Sequence, residues 1–217
     1  MRIIIFGAGA QALVDIGTIC REGKHVIDGL VDNQLEPGST FAGYPVLGGD
    51  DELGRIVGDV GGGIISIGDN AGRGDLAARI ALEWPDFEFV SIVDPFTAVA
   101  ADAVIGPGTR VTAGVVINPG SRIGAHCIIN TRASIDHENT VGDFVSINPG
   151  SVTGGKVSIG DYSVLGLGAQ VIHQVTIGAH TIVGAGSLVI RDLPDHVVAF
   201  GSPAKTVRSR ETGESYL

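Results

Sequence analysis

The 217-residue chain is poor in cysteine, in positive charge and in long apolar runs. Its two cysteines, Cys20 and Cys127, have neither the spacing of a metal-binding pair nor that of a disulfide framework. No apolar run approaches the ~20 residues of a membrane-spanning helix, and the short apolar start reads as a buried strand rather than a signal peptide. With 14 Lys and Arg against 24 Asp and Glu, the net charge of −10 argues against nucleic acid or an anionic membrane as partner. These absences predict a cytoplasmic protein without membrane attachment.

Apolar residues and glycine are what the chain has in quantity. Apolar residues make up 44% of it, which is enough to bury a core and excludes wholesale disorder. The 34 glycines show no collagen-like period of three. The length suits one or two domains.

From Ile105 onward the sequence repeats at intervals of six residues. Fourteen of fifteen successive positions are aliphatic and one is threonine: Ile105, Val111, Ile117, Ile123, Ile129, Ile135, Val141, Ile147, Thr153, Ile159, Leu165, Val171, Ile177, Val183 and Val189. Neither an α-helix nor an ordinary sheet has this period. The pattern predicts a prism with one aliphatic side chain per side pointing inward.

A second period of eighteen residues lies on the first. Glycine recurs directly after an inward aliphatic residue at Gly106, Gly124, Gly142, Gly160 and Gly178. Three six-residue sides then make one coil, and coils stack as parallel strands ~4.8 Å apart, so five coils rise ~24 Å. Residues eighteen apart should lie on top of one another.

The first 87 residues lack the repeat and alternate between strand and helix patterns. We predict strands over 2–6, 25–31, 62–68 and 88–93, and helices over about 11–21 and 71–83, with Asp69 and Asn70 as candidate caps. This alternation predicts a small, Rossmann-like parallel α/β sheet. The predicted units are 1–87, 88–194 and a C-terminal tail, 195–217.

The turn after the first strand has the design of a phosphate-binding loop. Gly7 and Gly9 allow close backbone approach, and the amides of the following helix face an anion. Asp32 lies at the end of the second strand, where a carboxylate could meet a ribose hydroxyl or a base, or could simply hold a turn. A unit of this size suits a mononucleotide better than NAD.

Together the two halves resemble a known family. The six-residue repeat is similar to hexapeptide-repeat, left-handed parallel β-helix proteins, and its combination with a glycine-turn α/β unit resembles bacterial nucleotide-sugar acyltransferases. That group includes N-acetyltransferases of UDP- or GDP-linked 4-amino-4,6-dideoxy sugars and sialic-acid O-acetyltransferases. The stretches that carry the resemblance are IFGAGAQ at 5–11, IGDN at 67–70, INTRASIDHENTVGDFVSINPG at 129–150 and VVAFGSPAK at 197–205.

The resemblance implies a left-handed prism, a homotrimer with active sites between subunits, and acetyl-CoA as co-substrate without a metal. It assigns His137 as catalytic base, tuned by Glu138 or Asp136, with Asn130 nearby. This chain departs from the family at Gln11 and Ser146, where histidine is frequent, and at Arg132, where a small residue is common.

The repeat adds a geometric expectation at the same place. His137 shares a column with Gly155 one coil above, which we expect to leave a slot for the acyl donor.

Lys205 and Arg208 form part of the densest basic cluster, and the resemblance assigns them to CoA. Gly7, Gly9, Gln11, Asp32 and Asn70 are assigned to the nucleotide-linked sugar.

The sequence therefore predicts an acetyl-CoA-dependent N-acetyltransferase acting on the amino group of a nucleotide-linked amino-dideoxy sugar. The alternatives are sialic-acid-type O-acetylation or a non-catalytic nucleotide-sugar binder. A zinc enzyme of the carbonic-anhydrase type is disfavoured, because His137 and His173 lie two coils apart, ~9.6 Å, too far to share one ion within a chain.

Overall fold

The computed structural model describes residues 1–215 and begins with a six-stranded sheet flanked by helices. The sheet order is β3-β4-β2-β1-β5-β6. No helix among the described residues is both long and apolar enough to cross a bilayer. The elements of this N-terminal unit are β1 (Arg2–Phe6), α1 (Ala10–Glu22), β2 (Val26–Val31), β3 (Thr40–Phe41), β4 (Tyr44–Gly48), a 3-10 turn (Asp50–Glu52), α2 (Leu53–Asp59), β5 (Gly62–Ile65), α3 (Asn70–Glu83) and β6 (Glu88–Phe89).

The predicted strand–helix alternation is confirmed, although the 3-10 turn and α2 were not predicted, and there are two further differences. First, β3 and β4 form an antiparallel hairpin, so the sheet is mixed. Its turn places Ala42 and Gly43 at φ of 49° and 87°, and alanine is an unusual choice for such a turn, which hid the hairpin. Second, the single strand predicted over 88–93 is wrong. Glu88–Phe89 pairs with β5, whereas Ile92–Val93 pairs with the prism.

Residues 92–189 form a triangular prism of two-residue strands in three parallel sheets. The first prism sheet contains Ile92–Val93, Arg110–Val111, Ile128–Ile129, Ser146–Ile147, Val164–Leu165 and Ile182–Val183, extended by a hairpin of Val197–Gly201 and Ala204–Ser209. The second contains Ala98–Val99, Val116–Ile117, Ser134–Ile135, Val152–Thr153, Gln170–Val171 and Leu188–Val189. The third contains Val104–Ile105, Arg122–Ile123, Thr140–Val141, Ser158–Ile159 and Thr176–Ile177.

The core of the prism is the column of hexad side chains. Fourteen of the fifteen hexad positions are buried and Ile105 is half-buried. The strand register joins residues eighteen apart, as in the pairs Ile117 with Ile135 and Ile135 with Thr153. Both predicted periods, six and eighteen, are therefore confirmed.

The N-terminal unit covers the first prism sheet through polar side chains as well as apolar ones. The outward positions of that sheet are buried at Arg110, Ile128 and Ser146. Arg110 forms an ion pair with Asp15 of α1, and the Ser146 hydroxyl donates to Asn70 of α3. These contacts fix how the unit sits on the prism.

The corner that follows the third prism sheet, called the third corner, carries a stack of rings beside the N-terminal unit. Neighbouring ring centroids lie 4.6–5.0 Å apart. Arg73 of α3 reaches this corner and donates to the carbonyl oxygens of His126, at 2.8 Å, and Phe144, at 3.1 Å. The stack runs through His126, Phe144, Tyr162, His180 and His196, and the ring of Phe89 meets His126 edge to face.

Replacing a hexad side chain should destabilise the prism. Ile135 is fully buried, so Ile135→Ala leaves a cavity and is expected to lower the free energy of unfolding by about 2–5 kcal/mol. Val104, on the outside of the third sheet and 47% exposed, is the control, and Val104→Ala should change it by less than about 0.5 kcal/mol. Denaturant titration measures both. Equal, small effects would contradict the inward assignment.

The stability of the third corner should fall in acid because of His126. Burial lowers the pKa of this imidazole from 6.5 to about 4, helped by Arg73 and Arg110 and opposed by Asp143. As the pH falls through about 6.5, His126 binds a proton in the unfolded chain, whereas in the folded chain it stays neutral down to about pH 4. Stability is therefore full above that pH and declines towards pH 4, by roughly 3 kcal/mol in total.

His126→Phe should remove this contribution while keeping the stack, since Phe144 already occupies the same left-handed corner geometry at φ 58°. We expect the variant to lose less stability than the parent protein between pH 7 and pH 5. Thermal unfolding at the two pH values measures the difference. Parallel losses in both proteins would show that His126 does not titrate as described.

Candidate active site

A cavity lies at the carboxyl ends of β1, β2 and β5. It has a volume of about 490 Å³, and its lining includes Gly7, Gly9, Gln11, Asp32 and Ser66. Gly7 needs glycine, because its φ is +102° and a side chain would press on the carbonyl oxygen of Ser66. Ligands of open α/β sheets bind at this end of the strands. Four residues predicted for the nucleotide thus meet in one cavity.

Asp32 uses both carboxylate oxygens to shape this cavity. Oδ2 accepts the backbone N–H of Ala8 at 2.8 Å, and Oδ1 accepts that of Gln34 at 2.8 Å. The structure therefore shows the turn-holding role, one of the two alternatives for Asp32. A contact with ribose or base stays a prediction.

Asn70 lies away from the cavity lining. It is 2% exposed, and its amide nitrogen donates to the carbonyl oxygens of Tyr162 and Ser163. Its Oδ1 accepts from Arg73 and Ser146. Asn70 therefore joins α3 to the prism, and these contacts leave its side chain little capacity for a nucleotide.

His137 and Glu138 lie on the corner that follows the second prism sheet, called the second corner. Nδ1 of His137 is 3.1 Å from Oε2 of Glu138, and both side chains are about half exposed, 52% and 56%. Glu138 has the left-handed φ of 56°, which turns its side chain outward at the corner. Lys156, one coil above, places Nζ 3.6 Å from the same carboxylate oxygen. Glu138 is thus the acid that contacts the imidazole.

Asp136 supports the backbone of the same corner. Its Oδ1 accepts the backbone N–H of His137 at 2.8 Å and the side-chain amide of Asn118 at 3.0 Å. These two hydrogen bonds hold the pKa of Asp136 below its usual range. Of the two acids predicted beside the base, Asp136 shapes the turn and Glu138 meets the ring.

The other ring nitrogen, Nε2, lies against Gly155. A methyl group at Gly155 would overlap the imidazole. The slot expected beside this glycine is therefore filled by the ring of His137 itself. An open cavity of about 270 Å³ continues past it, lined by His137, Gly155, Lys156, His173 and Gln174. Lys156 is a member of this site that the sequence reasoning missed, although its place eighteen residues after Glu138 signals the contact.

Asn130 lies on a different corner, the first, between the first and second prism sheets. Its Nδ2 is 3.3 Å from Oδ1 of Asn148, its neighbour one coil above. Within one chain the structure does not bring Asn130 to His137. Asn130 could act beside His137, as predicted, only if the two residues came from different subunits.

The two basic residues assigned to CoA lie on the terminal hairpin. Lys205 and Arg208 are exposed on the strand Ala204–Ser209. Arg208 forms an ion pair with Glu214 at 2.6 Å, which raises the pKa of the guanidinium. Neither residue lines the cavity beside His137. Their contact with CoA stays a prediction.

Comparison with known proteins identifies the family. A sequence profile of the PglD N-terminal domain matches residues 2–101. PerB from Caulobacter crescentus, solved in complex with CoA and GDP-perosamine, is 38% identical over 96% of this chain and 98% of its own, with a TM-score of 0.90. This chain belongs to the PglD-type nucleotide-sugar N-acetyltransferases. It is thus an acetyl-CoA-dependent N-acetyltransferase of nucleotide amino sugars with a left-handed β-helix.

Other solved members of this fold agree with that placement. The acetyltransferase domain of PglB from Neisseria gonorrhoeae, in complex with acetyl coenzyme A, is 29% identical over 95% of this chain and 98% of its own, with a TM-score of 0.88. WeeI from Acinetobacter baumannii, at 22% identity and a TM-score of 0.82, shares the fold. No curated protein sequence matches. Variants of perosamine N-acetyltransferase with one histidine replaced by asparagine or alanine have also been solved with CoA and GDP-perosamine.

Gly155→Ala tests the position of the imidazole in this N-acetyltransferase. The added methyl group must displace the ring of His137, and if this imidazole takes part in the reaction, a misplacement of about 1 Å can cost ~10²-fold in rate. We expect kcat to fall by about that factor with the fold intact. Gly54→Ala is the control, because Gly54 lies in α2 with open space around it. Equal turnover of both variants would place the ring elsewhere.

Proposed function

We propose that the enzyme acetylates the amino group of a nucleotide-linked 4-amino-4,6-dideoxy sugar by direct transfer, with His137 as general base. The observation that carries this is the geometry of one ring: Nδ1 meets Glu138 while Nε2 borders the open cavity beside Gly155. The complex of PerB with CoA and GDP-perosamine supports the choice of substrate class.

The contact with Glu138 selects a useful tautomer. If Nδ1 carries the proton and donates to the carboxylate, Nε2 keeps a free lone pair on a ring that lines the cavity. Lys156 supports the charge of Glu138, because its Nζ is 3.6 Å from the carboxylate. The neutral imidazole can then accept a proton from the attacking amine through Nε2.

The reaction balances without a covalent enzyme intermediate. The amine nitrogen attacks the thioester carbonyl carbon, its proton passes to Nε2 of His137, and the carbon–sulfur bond breaks. The imidazolium then returns the proton to the leaving CoA thiolate. Cys127 is unsuited to act as a nucleophile, because it is fully buried and burial raises its pKa to about 12.

The outer faces of the prism support a homotrimer. Most outward side chains of the third sheet are polar, whereas most of those of the second sheet are small or apolar and include the 43%-exposed Val152. A trimer with second sheets towards its axis buries that face. Outward residues of the second sheet are Ala98, Val116, Ser134, Val152, Gln170 and Leu188, and those of the third are Val104, Arg122, Thr140, Ser158 and Thr176.

The same arrangement gives Asn130 a place in the site. Around such an axis, the second corner of one subunit meets the first corner of its neighbour. His137 would then face Asn130 of the partner subunit, and the active site would lie between chains. Both proposed co-substrates are polyanions that do not cross a bilayer unaided, which supports a cytoplasmic site of action.

Turnover with defined substrates tests the proposal. Acetyl-CoA is mixed with GDP- and UDP-linked 4-amino-4,6-dideoxy sugars and thiol release is followed. We expect turnover, and His137→Ala should lower kcat by ~10²–10⁴-fold. His25→Ala is the matched control, because His25 lies at the opposite end of β2 from Asp32, and its rate should be unchanged.

Three results would count against the proposal. A loss below threefold in His137→Ala removes His137 as the base. Tight nucleotide binding without turnover across the panel points to a non-catalytic binder. Acetylation only of sugars that carry a hydroxyl group in place of the amine points to O-acetylation.

A further inference from the structure

We infer that the buried ion pair of Asp15 and Arg110 positions Gln11 for recognition of the nucleotide. Asp15 is a residue of α1 and Arg110 belongs to the first prism sheet. The inference rests on the proposed function of the cavity at the carboxyl ends of β1, β2 and β5. Asp15 and Arg110 are positioning residues, since neither lines that cavity.

Asp15 is the centre of a hydrogen-bonded group behind the cavity. It is fully buried, and Oδ2 accepts the hydroxyl of Ser66 at 2.5 Å while lying 3.1 Å from Nη1 of Arg110. Oδ1 accepts Nε2 of Gln11 at 3.1 Å. Two of these neighbours, Gln11 and Ser66, line the cavity. The carboxylate therefore holds two cavity residues at once.

Arg110, a residue of the prism, belongs to the hydrogen-bonded group around Asp15. It is fully buried, and its outward position in the first prism sheet is flanked by Ile92 and Ile128 one coil below and above. Its guanidinium also donates to the carbonyl oxygen of Ile65, the last residue of β5 and the neighbour of Ser66. A buried carboxylate close to a diphosphate site is tolerable when such a partner compensates its charge.

The contact with Asp15 decides what Gln11 presents to a ligand. Free glutamine can turn either its NH₂ or its oxygen towards the cavity. Donation from Nε2 to Asp15 fixes the amide, and Oε1 keeps its acceptor capacity. A fixed acceptor suits a group that carries hydrogen, such as a ribose hydroxyl or a nucleobase N–H, and disfavours phosphate oxygens. The phosphates are better served by the amides at the start of α1.

A mutant cycle in which nucleotide affinity is measured tests whether Asp15 and Arg110 position Gln11. Removing one member of a buried pair is strongly destabilising, whereas replacing both by apolar residues is often neutral, so Asp15→Leu/Arg110→Met is the variant of choice. Binding of GDP, UDP and CoA is measured by calorimetry on the full protein. Gln11→Ala should weaken the preferred nucleotide about five- to tenfold, and the double variant should weaken it by the same factor.

The decisive measurement is the triple variant with Gln11→Ala added to the double. If Asp15 acts through Gln11, the triple variant binds nucleotide no more weakly than the double. CoA affinity should stay within twofold throughout. Should the first pair not fold, Asp15→Ala/Arg110→Leu serves the same cycle.

The outcomes separate the inference from the function on which it rests. Additive losses, or an equal loss of CoA affinity, would overturn the positioning role while leaving the proposed function standing. A parent protein that binds neither nucleotide would overturn the assignment of the cavity, and with it this inference.

Discussion

The stacking of coils at an interval of eighteen residues is the constraint on which the second corner, with His137, depends. Strands of two residues have little pairing of their own, so each is held by its equivalents one coil away and by the inward aliphatic side chains. The same interval generates the contacts around His137. It sets His137 against Gly155, Glu138 beside Lys156 and Asp136 beside Asn118.

The groups that we propose for catalysis lie at a corner because the sides of the prism are committed to its core. Along each side one position in six must be apolar and inward, whereas the corner residues take left-handed backbone conformations that turn their side chains outward. Glu138 and Lys156 pay this conformational cost at φ of 56° and 61°. Glycine would adopt the same backbone more readily but would supply no carboxylate or ammonium. The corner therefore accepts a less favourable backbone conformation in order to present a carboxylate and an ammonium group.

The periods in the sequence were sufficient to predict the prism, its inward residues and the stacking of His137 over Gly155. They could not decide between Asp136 and Glu138, because that choice depends on side-chain direction at a corner. They also missed Arg110, although a column with step eighteen contains the signal: a single arginine between Ile92 and Ile128 implies a buried partner. Residues at outward positions eighteen apart can be compared in the same way. This comparison distinguishes the first sheet, which the N-terminal unit covers, from the third sheet, whose outward residues are mostly polar.

The two halves of the site are joined by buried polar contacts, and this has a functional reason. An apolar interface tolerates small shifts, whereas a buried guanidinium must keep its acceptors or lose several kcal/mol. Arg73 of α3 donates to the carbonyl oxygen of Ile67, in the loop before α3, and to that of His126 at the third corner, and Arg110 meets both α1 and β5. Such contacts fix the orientation of the proposed nucleotide cavity relative to the prism. In the proposed reaction the sugar is held at one end and acetylated at the other, and this requires a fixed geometry, because a misplacement of about 1 Å at the reacting atoms can cost ~10²-fold in rate.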